Sequence, residues 1–320
     1  SFSPMGVPAV EYFVGLVRLP HGPRLELQGQ EYDEVIRAKE NLVRVLEIEE
    51  AFDVLVENYA EFQGELLALS VWHGLHREYA RSGSDRLRRL VNRRLGNLLS
   101  SCRLYFDLTD RMLGEAFPQG RQSQDFNDAR SLEYDDRFSY RLLEAVRNYS
   151  QHRGFAVQDY GWRLWREEEA TPNKLCCSVQ PKVIREDLRN DPKVKADFRK
   201  ELDQQPETIS LGRHVVAYME SIYCIHNAVR SMIEIPLGLW EDRLSKIVAR
   251  FAEKFPEEGQ GCSQASAYMV REGTADPLET FLTAQFHERI TFLQESNPIR
   301  TNLAVPLPGW YSGQDGNNGQ

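Results

Sequence analysis

Residues 45–69, VLEIEEAFDVLVENYAEFQGELLAL, decide the fold. Val45, Ile48, Phe52, Leu55, Tyr59, Phe62, Leu66 and Leu69 recur at spacings of 3, 4, 3, 4, 3, 4 and 3, which puts all of them on one stripe of a long helix. A stripe that long needs other helices to cover it. The helical signal extends over 31–79, and Arg81-Ser-Gly-Ser-Asp85 interrupts it and offers an N-cap for the next helix.

That next helix is predicted over 85–116, with Leu87, Leu90, Val91, Leu95, Leu98, Cys102 and Tyr105 facing inward. Residues 117–128 lose the period and read as a connecting loop. A third helix is expected over 133–152, with Phe138, Leu142, Val146 and Tyr149 inward and Gly154 as its C-cap. These antiparallel helices make a bundle.

Outward from the bundle the character changes. Val10, Tyr12, Val14 and Leu16 suggest an extended arm or hairpin over residues 1–30. FAVQDYGWRLW and KLCCSVQPKV read as strands around a turn at Thr171-Pro172-Asn173. Helices are expected again over 192–203, 208–234, 239–256 and 277–295. The organisation expected is therefore an arm (1–30), a bundle (31–155), a β-hairpin element (156–190), a second helical region (191–296) and a loose tail (297–320). The fold class is mainly α with a small β element.

The 320 residues suffice for a sizeable core, and 41% apolar with 27% charged content places the chain among globular proteins. A net charge of −9 excludes a uniformly basic nucleic-acid binder. The charge is uneven, however. Residues 31–65 hold eleven acids against three bases, and residues 81–103 hold seven arginines against one acid. Arg86, Arg89 and Arg93 share one helical stripe, beside Arg94, and such a stripe can follow a phosphate backbone. Equally, the basic and acidic helices can pair with each other. No long apolar run suggests a membrane span, no secretory signal pattern opens the chain, and five scattered cysteines suit a reducing, cytoplasmic setting.

P-loop, G-x-G-x-x-G, G-x-S-x-G and H-E-x-x-H patterns are all missing from the sequence. His73 and His76 fall where the first stripe would continue. With no third ligand at local spacing they read as core or interface residues, so neither metal nor cofactor is expected. Glu220, Tyr223, Asn227 and Arg230, with His226 beside them, read as an exposed amphipathic face. Tyr160, Trp162 and Trp165 read as half-buried strand aromatics, and Cys176 and Cys177 as one inward and one outward thiol.

The informative stretch is Ala145-Val-Arg-Asn-Tyr-Ser-Gln-His-Arg-Gly154, which carries R-N-x-x-x-H as Arg147, Asn148 and His152 at the end of a helix. Over about residues 31–154 the chain resembles the HEPN family, whose members carry an Arg followed four to six residues later by His, often with Asn directly after the Arg. The resemblance implies a metal-independent endoribonuclease of the toxin–antitoxin or phage-defence kind, bacterial, with its site completed in a homodimer and its activity restrained by a regulatory partner. The alternative it implies is a non-catalytic dimerisation or binding scaffold.

For cleavage, Arg147 would stabilise phosphorane charge, His152 would move protons, and Asn148 would position them. Arg86, Arg89, Arg93, Arg94 and Arg153 would guide the RNA. Residues i and i+5 lie about 140° apart around a helix, so Arg147 and His152 do not share a face, whereas Asn148 and His152 do. A second copy of the helix is the arrangement expected to complete the site.

Overall fold

The computed structural model describes residues 10–16, 22–75, 81–167, 174–258, 265–271, 278–282, 285–300 and 303, with backbone alone at 73–75, 81–84, 162–167 and 174–177. In chain order the elements are β1 (Val10–Leu16), β2 (Leu25–Leu27), α1 (Gly29–Leu75), α2 (Arg81–Ala116), α3 (Gln122–Asp136) and α4 (Phe138–His152). There follow β3 (Val157–Glu167), β4 (Lys174–Ile184), α5 (Arg185–Arg189), α6 (Ala196–Asp203), β5 (Thr208–Ser210), α7 (Gly212–Lys254), β6 (Ala265–Arg271), β7 (Leu278–Phe281) and α8 (Gln285–Ser296). The fold is mainly α with two small antiparallel sheets. Among the described residues, no helix is long and apolar enough to cross a membrane.

The described residues fall into two compact units. One draws on Ser1–Glu50, Met112–Pro118 and Arg230–Asn297, the other on Ala51–Arg111, Gln119–Val229 and Pro298–Gln320. In the first, the sheet order is β2-β1-β6-β7, with β1 paired along its whole length to β6, from Val10↔Arg271 to Leu16↔Ala265. Phe13 and Tyr268 stack at 5.0 Å, and the Tyr268 hydroxyl donates to the Leu16 carbonyl at 2.6 Å. The hairpin expected near the N-terminus is present as β1 and β2, and it is built into a larger sheet. Strand β6 was not expected. Its ASAYMVR sequence opens on small residues that carry a weak strand signal, yet Ala265, Ser266, Ala267 and Tyr268 are all buried.

In the second unit the stripe residues Phe52, Leu55, Phe62 and Leu66 of α1 are completely buried. Phe52 stacks on His226 of α7 at 3.7 Å, and the Tyr105 hydroxyl of α2 hydrogen-bonds His226 Nδ1 at 2.9 Å. The sheet β3-β4-β5 is tied to the helices by two polar anchors. Asn92 of α2 accepts from the Val157 amide at 3.0 Å and donates to its carbonyl at 2.8 Å. Ser70 of α1 accepts from the Val179 amide at 3.0 Å and donates to the Leu66 carbonyl at 2.6 Å.

Five element expectations need correction. The break and N-cap expected at Arg81–Asp85 lie inside α2, which begins at Arg81. Of the helix expected over 277–295, Leu278–Phe281 is strand β7 and helix α8 begins only at Gln285. The connecting loop over 117–128 is shorter, because α3 begins at Gln122 and buries Phe126. The helix expected over 133–152 is divided at Arg137, whose extended backbone (φ −116°, ψ 114°) separates α3 from α4. The helices expected over 208–234 and 239–256 are one, α7, with Pro236 inside it. A proline removes a single backbone donor, and packing of Val229, Ile233, Leu244 and Ile247 on the buried side carries the helix through.

Candidate functional site at the end of helix α4

Helix α4 exists because Tyr140, Leu142, Leu143, Ala145 and Val146 form a continuous buried face. It ends after His152: Arg153 is the C-cap, and its amide donates to the Tyr149 carbonyl at 2.8 Å. Gly154, expected as the cap, lies one residue past it and has φ +139°, a conformation that residues with a Cβ rarely adopt.

The motif residues point different ways. Arg147 turns into the unit, its side chain only 12% exposed, and Nη2 pairs with Glu144 at 3.0 Å. The same nitrogen donates to Asn148 Oδ1 at 3.1 Å. Nε and Nη1 of Arg147 are enclosed and meet no acceptor among the described residues. Glu144 also accepts from the Tyr218 hydroxyl at 2.8 Å. By contrast, His152 and Arg153 are exposed. Arg147 and Asn148 are thus brought together, whereas His152 leaves the helix on the solvent side.

Around Glu144 lies a group of neutral acids. Burial pushes the Cys102 thiol up, and the Glu144 charge adds to the shift. Burial likewise raises the Tyr140 phenol, reinforced by Glu144, and lifts Tyr218 well above its ordinary value, reinforced by Cys102 and Glu144. The cluster therefore sets the Glu144 side chain, paired with Arg147, among a protonated thiol and protonated phenols. This arrangement stores and orients charge, and Cys102 is a poor nucleophile within it.

Of the arginines expected to guide RNA, Arg86, Arg89 and Arg93 are exposed on α2 and form no ion pair among the described residues. Arg94 pairs instead with Glu61 and with Glu65 of α1. This is the helix-to-helix pairing that the opposed charges of the two segments also allowed. The face read as exposed on α7 is largely packed: Tyr223 is 5% exposed and His226 fully buried. Arg230 is held by Glu49 at 2.6 Å.

His73, His76, Trp162, Trp165, Cys176 and Cys177 have side chains outside those described; Tyr160 is half-buried. Among the described residues, no three His, Cys, Asp or Glu side chains are grouped to hold a metal.

Sequence reading missed a cavity of about 550 Å3 on another side of α4, where Asn148 joins residues of α3 and of the segment entering α6. Its lining runs from Asn127 to Phe198. No local pattern marks it, although the basic Lys193 and Lys195 beside Pro192 were a usable signal. Comparison with family models, curated proteins and solved structures finds no match for this chain.

Proposed function

We propose that this chain is a HEPN-like RNA-binding protein of the non-catalytic kind, in which the motif arginine is spent on an internal ion pair and exposed arginines hold the ligand. The observation that carries this reading is the Arg147–Glu144 ion pair, with the arginine side chain 12% exposed. A guanidinium committed to an internal carboxylate is withdrawn from phosphate oxygens. Exposed and unpaired among the described residues, Arg86, Arg89 and Arg93 supply the electrostatic contact that Arg147 does not.

A second reading, metal-independent endoribonuclease, is favoured by the exposure of His152 and Arg153 at the end of α4. In that reading a two-fold dimer brings His152 to an RNA phosphate held by the other copy. The 2′-hydroxyl loses its proton to a base and attacks the adjacent phosphorus, the bond to the 5′-oxygen breaks, and an acid protonates that oxygen. The products are a cyclic phosphate end and a 5′-hydroxyl end.

One experiment separates the two. Wild type, Arg147→Ala, His152→Ala and the triple Arg86→Glu/Arg89→Glu/Arg93→Glu variant are incubated with mixed RNA in EDTA, and both binding and ends are measured. The binding reading expects intact RNA throughout, affinity lowered at least tenfold by the triple variant, a shallower salt dependence, and no change for His152→Ala. Cyclic phosphate ends that appear with wild type and vanish with His152→Ala would replace it with the enzyme reading. Light scattering of the same samples reports whether a dimer forms.

A further inference from the structure

The cavity beside α4 carries its own chemistry. It lies wholly within the second unit and receives the cations Arg130, Arg141, Lys193 and Lys195 against the acids Asp135 and Glu144. Two of these are engaged elsewhere. Glu144 is answered by Arg147 and Tyr218. Arg141 donates to the Tyr134 and Asp135 carbonyls, each at 2.5 Å, and pairs with Glu201 at 2.7 Å. Arg130, Lys193 and Lys195 then face Asp135 alone, and the wall keeps a surplus of positive charge.

The disposition of those groups favours a ligand. The Arg130 guanidinium carbon sits over the Phe106 ring at 4.5 Å, and its Nε is enclosed with no acceptor among the described residues. The Lys195 ammonium sits over the Tyr134 ring at 4.8 Å, and neither lysine forms an ion pair with a described carboxylate. Lys193 and Lys195 are both exposed at the mouth. One neutral donor stands alongside: Asn148, whose oxygen is taken by Arg147 and whose amide nitrogen is left for another acceptor. Asn127 is already engaged, accepting from Arg130 Nη1 at 3.1 Å and donating to Asp110 Oδ1 at 2.8 Å and to the Ser123 carbonyl at 3.0 Å.

Charge and size together define the ligand class. Three cations against one acid are best balanced by a group carrying about two negative charges, which a phosphate monoester does and a single carboxylate does not. The volume of about 550 Å3 falls among small-molecule sites, which span roughly 300–1,000 Å3, and exceeds the need of a bare anion. We propose that this cavity binds a phosphate monoester on a hydroxylated body, with Arg130, Lys193 and Lys195 around the phosphate and Asn148 on a hydroxyl. That ligand is either a free sugar phosphate or the phosphorylated end of an RNA strand. The site stands on the cavity and not on the motif resemblance.

Calorimetry and thermal shift on the full chain test it with inorganic phosphate, ribose 5-phosphate, ribose, and one short RNA with a 5′-phosphate or a 5′-hydroxyl. Saturable binding of ribose 5-phosphate with none of ribose is expected, weakened at least tenfold in Lys193→Ala/Lys195→Ala at an unchanged unliganded melting temperature. Displacement of ribose 5-phosphate by 5′-phosphorylated RNA but not 5′-hydroxyl RNA assigns the strand end as the source. No displacement by either RNA assigns the free sugar phosphate. Should none of the phosphorylated probes bind saturably at millimolar concentration, or should the lysine variant bind them like wild type, the site does not exist. Loss of RNA binding elsewhere on the protein, with ribose 5-phosphate binding kept, would sink the proposed function and leave this site in place.

Discussion

Arg147 and Arg230 are both arginines drawn inward beside a glutamate, one in each compact unit, and they are satisfied to different degrees. Arg230 places Nε and Nη2 on the two oxygens of Glu49 at 3.0 and 2.6 Å, and Nη1 on the Asn297 carbonyl at 2.9 Å. Gln294 adds a further donor to Glu49 at 3.1 Å. Arg147 engages Nη2 alone, on Glu144 and Asn148, and leaves Nε and Nη1 enclosed without acceptors. A forked pair with every nitrogen answered is a structural lock. A half-answered guanidinium beside a cationic cavity marks a region where the fold accepts an excess of donors.

The largest effect expected from this contrast is at Glu49, whose side chain is 1% exposed. Glu49→Ala strands a buried guanidinium and is expected to cost about 3–5 kcal/mol in urea denaturation. Arg147→Met is expected to cost only about 1 kcal/mol, because two of its donors already lack partners and Tyr218 still holds Glu144. A loss at Arg147 as large as that at Glu49 would erase the distinction between the two arginines. The double variant Glu144→Gln/Arg147→Met is expected to be less destabilised than the sum of its single changes, since both members of the pair go together.

The smallest effect is read from pH. Cys102, Tyr140 and Tyr218 all have folded-state pKa values raised above the ordinary 9.0 for thiol and 10.0 for phenol. The unfolded chain releases these protons first as pH rises, so the contribution is complete below about pH 9 and declines through the alkaline range. Thermal melts between neutral and alkaline pH are expected to fall more gently in Cys102→Ala/Tyr140→Phe than in wild type. A parallel decline in both proteins would show that the cluster around Glu144 does not govern alkaline stability. In the same samples, Cys102 is expected to resist alkylation until the protein unfolds.

Legibility followed the range of the interaction. The α1 stripe was readable because a 3,4 spacing is local, and Phe52, Leu55, Phe62 and Leu66 are buried as that spacing requires. Divergence of Arg147 and His152 was readable too, from helix geometry alone. Strand β6 was not, because its opening residues are small and its reason for being a strand is its partner β1, some 250 positions earlier. The continuity of α7 through Pro236 was hidden by a residue that normally ends helices.

The bundle-forming faces of the N-terminal helices and the uneven charge were therefore determined by the sequence itself, through short-range periodicity and composition. Tertiary structure alone decided which charges are spent inside and which remain outside. Arg94 is spent on Glu61 and Glu65, Arg147 on Glu144 and Arg230 on Glu49, while Arg86, Arg89 and Arg93 are left to solvent. The reason is that an ion pair depends on distance in space. Glu49 and Arg230 stand 181 residues apart, and no local pattern in either segment records the other.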